Sequence, residues 1–220
     1  MSYAAILFDH DGTLVDSEGT HLTLWREAIA PFGATITDDE YWQRLLGVPA
    51  EQNAADLIQL RQLPTTVPDL VATKERLTQA FLASSHFPAM DSADALVRFA
   101  AQHLPIALVS GSQGFCIEAS LQGHRWKELF TVVVTADDVT RNKPEPDSYL
   151  MALDRLNVAG RPCIAIEDTQ SGVRAALAAG LDVVAIRNSH SALHDFSGAT
   201  YEVPHLAAAF ALLKPLIEQE

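Results

Sequence analysis

Five short, almost unbroken apolar runs constrain the fold of this chain: Ala4-Ala5-Ile6-Leu7-Phe8, Ile106 to Val109, Val132 to Val134, Cys163 to Ile166 and Val183 to Ile186. Runs this short, with no polar alternation and with polar or glycine residues at their ends, suit strands buried on both faces. Helix-like stretches separate the later runs, which is the alternation of a parallel sheet covered by helices. The expected class is α/β, a doubly wound parallel sheet.

The segment from about Ser17 to Pro88 breaks that rhythm. Leu22, Trp25, Ile29 and Phe32 recur at helical spacing without any buried-strand run, and Gly33, Pro49, Pro64 and Pro68 read as helix stops and loop residues. A small helical bundle over 17–88, inserted into a core of 1–16 and 89–220, is the simplest organisation. The 220 residues suffice for one large body with such an insertion.

Fifteen Lys and Arg against 28 Asp and Glu give a net charge of −13, which repels the phosphate backbone of nucleic acid. A nucleic-acid partner is therefore not expected. A small anion can bind only where cations, backbone N–H groups or a metal reverse the local sign. Cys116 and Cys163 form neither a C-x-x-C pair nor a zinc pattern, and their apolar neighbours suit buried thiols. Met1-Ser2-Tyr3 leads straight into the first apolar run without a charged leader region, and no run approaches the roughly 18 residues a bilayer span requires. The expectation is a soluble, cytoplasmic protein with no membrane partner; nothing sets an oligomeric state, and a monomer is compatible with it.

In open parallel sheets ligands bind beyond the carboxyl ends of the strands. Those positions hold Asp9-His10-Asp11-Gly12-Thr13, Ser110-Gly111-Ser112, Ala136-Asp137-Asp138 with Lys143 a few residues on, and Glu167-Asp168-Thr169. Asp9 and Asp11, two apart on an extended backbone, aim toward one side while Gly12 lets the chain turn away. Their repulsion is relieved if a hard divalent cation binds one while the other exchanges protons. Glu167 and Asp168 add a second acidic pair at the same sheet edge, and Mg2+, which takes oxygen ligands, suits this set better than zinc. Plainer readings exist for each: Asp residues in a turn, Asp168 as the N-cap of a helix over Ser171 to Ala179, one serine of Ser110-Gly111-Ser112 as the N-cap of the helix-like Phe115 to Leu121, and Lys143 as a surface lysine. Otherwise Ser110-Gly111-Ser112 would cradle an anionic oxygen, and Lys143 would be held in place by the prolines of Lys143-Pro144-Glu145-Pro146.

With these motifs in order, the chain resembles the haloacid dehalogenase superfamily, in the branch of β-phosphoglucomutase and small sugar-phosphate phosphatases. Asp9-His10-Asp11-Gly12-Thr13-Leu14-Val15-Asp16-Ser17 matches the first motif and Ser110 the second. Lys143-Pro144-Glu145-Pro146-Asp147 matches the third, and Glu167-Asp168-Thr169-Gln170-Ser171-Gly172 the fourth. The resemblance covers nearly the whole chain and is weakest across Pro49 to Pro88. It implies a Rossmann-like core with a helical cap after the first strand. It further implies Asp9 as the nucleophile that takes the phosphoryl group and Asp11 as general acid and base. Ser110 and Lys143 would bind phosphoryl oxygens. Mg2+ would be held by Asp9, the backbone carbonyl of Asp11 and Asp168, with Glu167 as a further direct or water-mediated ligand.

The same resemblance gives the cap residues His21 and Lys74 a substrate-facing role, beside Gly111 and Ser112 of the core. In Leu46-Gly47-Val48-Pro49-Ala50, Ala50 stands where the mutases carry an arginine for a second phosphate, which weakens the mutase reading. His10, where apolar residues are more usual, is expected to contribute its backbone and place its ring at a pocket edge. The reading is a Mg2+-dependent phosphatase acting on a small phosphomonoester, a sugar or polyol phosphate. The alternatives are a sugar phosphomutase and a catalytically idle binding protein of the same fold.

Overall fold

The computed structural model describes residues 3–46, 48–188, 191 and 194–218; Met1, Ser2 and Gly47, which belong to segments discussed above, lie outside them. The chain divides into two compact units, one of 1–16 with 88–220 and one of 17–87.

The larger unit is built on a six-stranded sheet of β1 (Ile6–Phe8), β2 (Ile106–Val109), β3 (Val132–Val134), β4 (Ile164–Glu167), β5 (Asp182–Ile186) and β6 (Tyr201–Val203), in the order β3-β2-β1-β4-β5-β6. Every neighbouring pair is parallel, and β1 is central, with Leu7 opposite Ala107 on one side and Ala165 on the other. The α/β, doubly wound expectation is met, and the apolar runs lie where the strands do.

Some details of the sheet differ from the sequence reading. Ala4 and Ala5 precede β1, and Cys163 precedes β4, although the backbone already pairs there, Ala4 donating to the Pro162 carbonyl at 2.7 Å and Ile164 to that of Ala5 at 3.3 Å. The strand β6 was not anticipated, because Tyr201-Glu202-Val203 sits at the sheet edge, half-buried and interrupted by a charge, and so leaves no apolar run.

The second unit contains α1 (Glu18–Ile29), α2 (Asp38–Arg44), α3 (Ala50–Arg61) and α4 (Val67–Leu82). Leu22, Trp25 and Ile29 of α1 pack with Tyr41, Leu57 and Leu70, one from each other helix. Phe32 does not join them: it lies in a short 3-10 turn that ends at Gly33 and is 39% exposed. Pro68 stands in the first turn of α4, where its missing N–H has no helical acceptor to lose, so it opens a helix instead of stopping one.

In the larger unit the helices are α5 (Ala93–His103), α6 (Gly114–Gly123), α7 (Asp147–Arg155), α8 (Gln170–Ala178) and α9 (Leu206–Ile217). Tyr149, Ala152 and Leu153 of α7 and Val173, Ala175 and Ala176 of α8 pack on one sheet face with Leu7, Ala107, Ala165 and Val183. Both cysteines are buried, and neither forms a disulfide among the described residues. Among the described residues, no helix is long and apolar enough to cross a membrane.

Candidate active site

The carboxyl ends of the two central strands, β1 and β4, deliver the acidic residues. Beyond β1 the ladder runs one step further, Asp9 donating its N–H to the Ile166 carbonyl at 3.0 Å, which fixes the backbone that carries its side chain. The chain then folds back: the Leu14 and Val15 amides both donate to the His10 carbonyl, and Gly12 donates to Val15 at 2.9 Å. Gly12 takes φ +76°, and a Cβ there would lie 2.2 Å from an Asp168 carboxylate oxygen, so both conformation and space call for glycine.

Asp9, Glu167 and Asp168 are buried, and each offers an oxygen within 4.8 Å of the others. Lys143 reaches into this group, its ammonium donating to Asp9 Oδ1 at 2.7 Å, to Glu167 Oε1 at 2.6 Å and to the Val109 carbonyl at 2.9 Å. Those three bonds use all three ammonium protons. The side chain of Lys143 is 9% exposed, so it is not a surface lysine.

Three carboxylates crowd one ammonium in a buried space, so full ionisation would leave negative charge uncompensated. Burial, then the neighbouring Glu167, pushes Asp9 up to about 7 against the opposing pull of Lys143. Asp168 is raised well above the ordinary carboxylate range, by burial and then by Asp9 and Glu167. Burial pulls the Lys143 ammonium down, but the Asp9 and Glu167 carboxylates outweigh it and hold the group above the usual lysine range. An all-oxygen, desolvated carboxylate cluster whose full ionisation is disfavoured without a further cation fits a hard divalent ion.

Neither plain capping reading matches the structure. The N-cap of α8 is Thr169, whose hydroxyl accepts from the Gly172 amide at 3.1 Å, while Asp168 accepts from Thr13 Oγ1 at 3.3 Å and Asn188 Nδ2 at 2.9 Å. The N-cap of α6 is Gln113, which makes no side-chain cap, so neither serine is spent on capping. Ser112 Oγ donates to Asp11 Oδ2 at 2.6 Å and Ser110 Oγ to the same oxygen at 3.4 Å, while the Ser112 amide donates to Ser110 Oγ at 2.9 Å. Gly111 between them is exposed, with open space where a Cβ would sit.

His10 differs from expectation: its ring is 1% exposed and not at a pocket edge, with Nδ1 3.2 Å from Asp11 Oδ2. Its carbonyl does serve the turn. Asp137 and Asp138 stay apart from the acidic cluster, Asp137 accepting from the Gly114 amide at 2.9 Å and Asp138 from Arg155 at 2.9 Å.

In the helical unit, Lys74 Nζ lies 3.0 Å from His21 Nδ1. An ammonium only donates, so Nδ1 accepts and Nε2 carries the imidazole proton. The lysine also sits 5.8 Å from the Trp25 ring centroid, and His21 meets Phe87 edge-on at 5.2 Å.

Three residues of the core site escaped the sequence reading of individual roles: Thr13, Asn188 and Tyr149. Asn188 lies two residues beyond β5, and extending the strand-end rule to that strand would have found it. Thr13 falls inside the first motif. Tyr149, on α7, carried no signal apart from its position just after the lysine loop.

A family profile described as haloacid dehalogenase-like hydrolase matches residues 6–186. The chain belongs to that family. It falls in the branch of β-phosphoglucomutase and sugar-phosphate phosphatases. It is 33% identical over 185 residues to fructose-1-phosphate phosphatase YqaB of Escherichia coli, covering 84% of this chain and 97% of that one. It is 30% identical over 220 residues to validoxylamine A 7'-phosphate phosphatase of Streptomyces hygroscopicus, covering 98% and 95%. A crystal structure of CbbY from Rhodobacter sphaeroides in complex with xylulose 1,5-bisphosphate superposes with a TM-score of 0.78 at 26% identity, covering 93% of this chain and 95% of that one.

Proposed function

We propose that this protein is a divalent-cation-dependent phosphatase that hydrolyses a small phosphomonoester, a sugar or polyol phosphate, through phosphoryl transfer to Asp9. The observation that carries the reading is the Asp9 carboxylate at the end of the central strand, bonded to Lys143 and crowded by Glu167 and Asp168. The names of the relatives support the substrate class, since two are phosphatases of phosphorylated sugars or sugar-like compounds.

Lys143 holds Asp9 Oδ1, which leaves Oδ2 to attack phosphorus. Asp11 gives a proton to the departing substrate oxygen and later takes one from the water that cleaves the aspartyl phosphate. It enters the cycle as the carboxylic acid, with Oδ2 accepting from the Ser112 and Ser110 hydroxyls. To grip a phosphoryl oxygen, Lys143 exchanges one of its three present partners for it, and the Ser110 hydroxyl and the Ser112 amide turn to other phosphoryl oxygens. Mg2+ would be held by Asp9, the Asp11 carbonyl and Asp168, with Glu167 as a further ligand, and when bound it neutralises the repulsion between carboxylate and phosphate. Ala50 supplies no charge for a second phosphate, which favours water over a second sugar hydroxyl as the acceptor.

The test is a panel of sugar and polyol phosphates incubated with the protein in Mg2+ or in EDTA, scored for free phosphate and for isomerised sugar. Phosphate release abolished by EDTA is the expected result. Isomer formation without net release would make the protein a mutase, and neither product across the panel would make it an idle member of the fold.

A further inference from the structure

Tyr149 is fully buried on α7, and its hydroxyl lies 2.7 Å from Glu167 Oε1. The same oxygen accepts from Lys143 at 2.6 Å, and the Lys143 ammonium sits 5.1 Å from the Tyr149 ring centroid. One aromatic side chain thus touches both members of the lysine–glutamate pair, through its hydroxyl on one and its π face on the other. A phenylalanine would fill nearly the same volume without burying a hydroxyl, which costs free energy unless it is bonded. The bond it makes is to a carboxylate, and a carboxylate only accepts, so the phenol donates.

The surroundings leave Glu167 little choice of place. A Cβ on Gly172 would stand 2.0 Å from the Glu167 carboxylate, so the absence of a side chain there makes room for it. The other oxygen, Oε2, accepts from Thr169 Oγ1 at 3.3 Å, a weaker contact. The strong anchoring is all on Oε1, and Lys143 and Tyr149 share it.

We propose that Tyr149 is a positioning residue: its hydroxyl pins Glu167 Oε1 and its ring backs the Lys143 ammonium, so that the phenol sets where the lysine–glutamate pair stands beside Asp9. This rests on reading Asp9 as the nucleophile within a cation-binding carboxylate set. Without the hydroxyl, Oε1 keeps only the lysine, and the pair can shift together away from Asp9.

The experiment compares wild type, Tyr149→Phe, Glu167→Ala and the double variant in the full chain. Mg2+ affinity is measured by calorimetry with MgCl2 and no substrate, kcat and KM with p-nitrophenyl phosphate, and the Glu167 carboxylate is located in a metal-free crystal structure of Tyr149→Phe. Tyr149→Phe is expected to fold, to weaken Mg2+ binding and lower kcat by about tenfold each, as loss of an outer hydrogen-bond partner does, and to leave KM nearly unchanged. In the Glu167→Ala background, which removes the oxygen that the phenol donates to, the same change should add less than about twofold, because a residue acting through Glu167 has nothing left to act on. The carboxylate should be displaced in the crystal. Mg2+ affinity within about twofold of wild type with Glu167 unmoved, or an equal loss in both backgrounds, would reduce Tyr149 to a packing residue and overturn the proposal. A wild type that releases no phosphate from any member of the sugar- and polyol-phosphate panel would defeat the phosphatase reading, while calorimetry and the crystal structure would still decide on Tyr149.

Discussion

Lys143 and Glu167 meet at 2.6 Å with side chains 9% and 0% exposed, a buried ion pair in which the same ammonium also serves Asp9. Removing one partner of such a pair leaves uncompensated buried charge, which typically costs about 3–5 kcal/mol. Lys143→Met is therefore expected to lose stability of that order in EDTA by urea denaturation, and to recover part of it on adding MgCl2. An unchanged midpoint in EDTA would contradict the electrostatic account of the cluster.

Replacing the nucleophile has the opposite sign for stability. Asp9→Asn removes one of the three crowded carboxylates while keeping an oxygen for Lys143. Phosphate release should fall by at least about a thousandfold, while the metal-free Tm should stay level or rise. A fall in Tm large enough to explain the lost activity would sink this prediction.

The pH dependence follows from the same crowding. Burial and Glu167 push Asp9 up to about 7 in the folded protein, and Asp168 shifts in the same direction. The folded state therefore holds these protons more tightly than the unfolded chain does. Their contribution to stability is complete below about pH 4 and is lost as pH rises through the folded values. The gain in Tm on adding MgCl2 should be small at pH 5 and larger at pH 8; a gain independent of pH would contradict it.

Much of the fold and of the candidate site was legible because buried parallel strands leave contiguous apolar runs. Asp9, Ser110 and Asp168 all fall within two residues of the ends of such runs, and Glu167 closes one. β6 was not legible, since an edge strand need not be apolar, and Phe32 misled because helical spacing continues into a turn that exposes it. The engagement of all three Lys143 protons was hidden for another reason: it depends on Val109, Asp9 and Glu167, which lie on three different strands or just beyond them. Tyr149 was hidden likewise, because a tyrosine on the buried face of α7 reads as core and only its hydroxyl's partner marks it as more.

Gly172 offers a steric test. An alanine methyl there would lie 2.0 Å from the Glu167 carboxylate, so Gly172→Ala should cost about 1–3 kcal/mol and lower kcat by displacing Glu167. Wild-type stability together with wild-type kcat would show that the carboxylate does not need this space.

The central claim is that the phosphoryl group passes through Asp9. The most direct measurement is an acid quench during turnover of an accepted sugar phosphate with MgCl2, followed by peptide mapping by mass spectrometry. A phosphoryl group on the peptide bearing Asp9, appearing and decaying with turnover and absent from Asp9→Asn, is the expected result. Steady phosphate release with no phosphorylated peptide at any time, alongside retained turnover in Asp9→Asn, would contradict it.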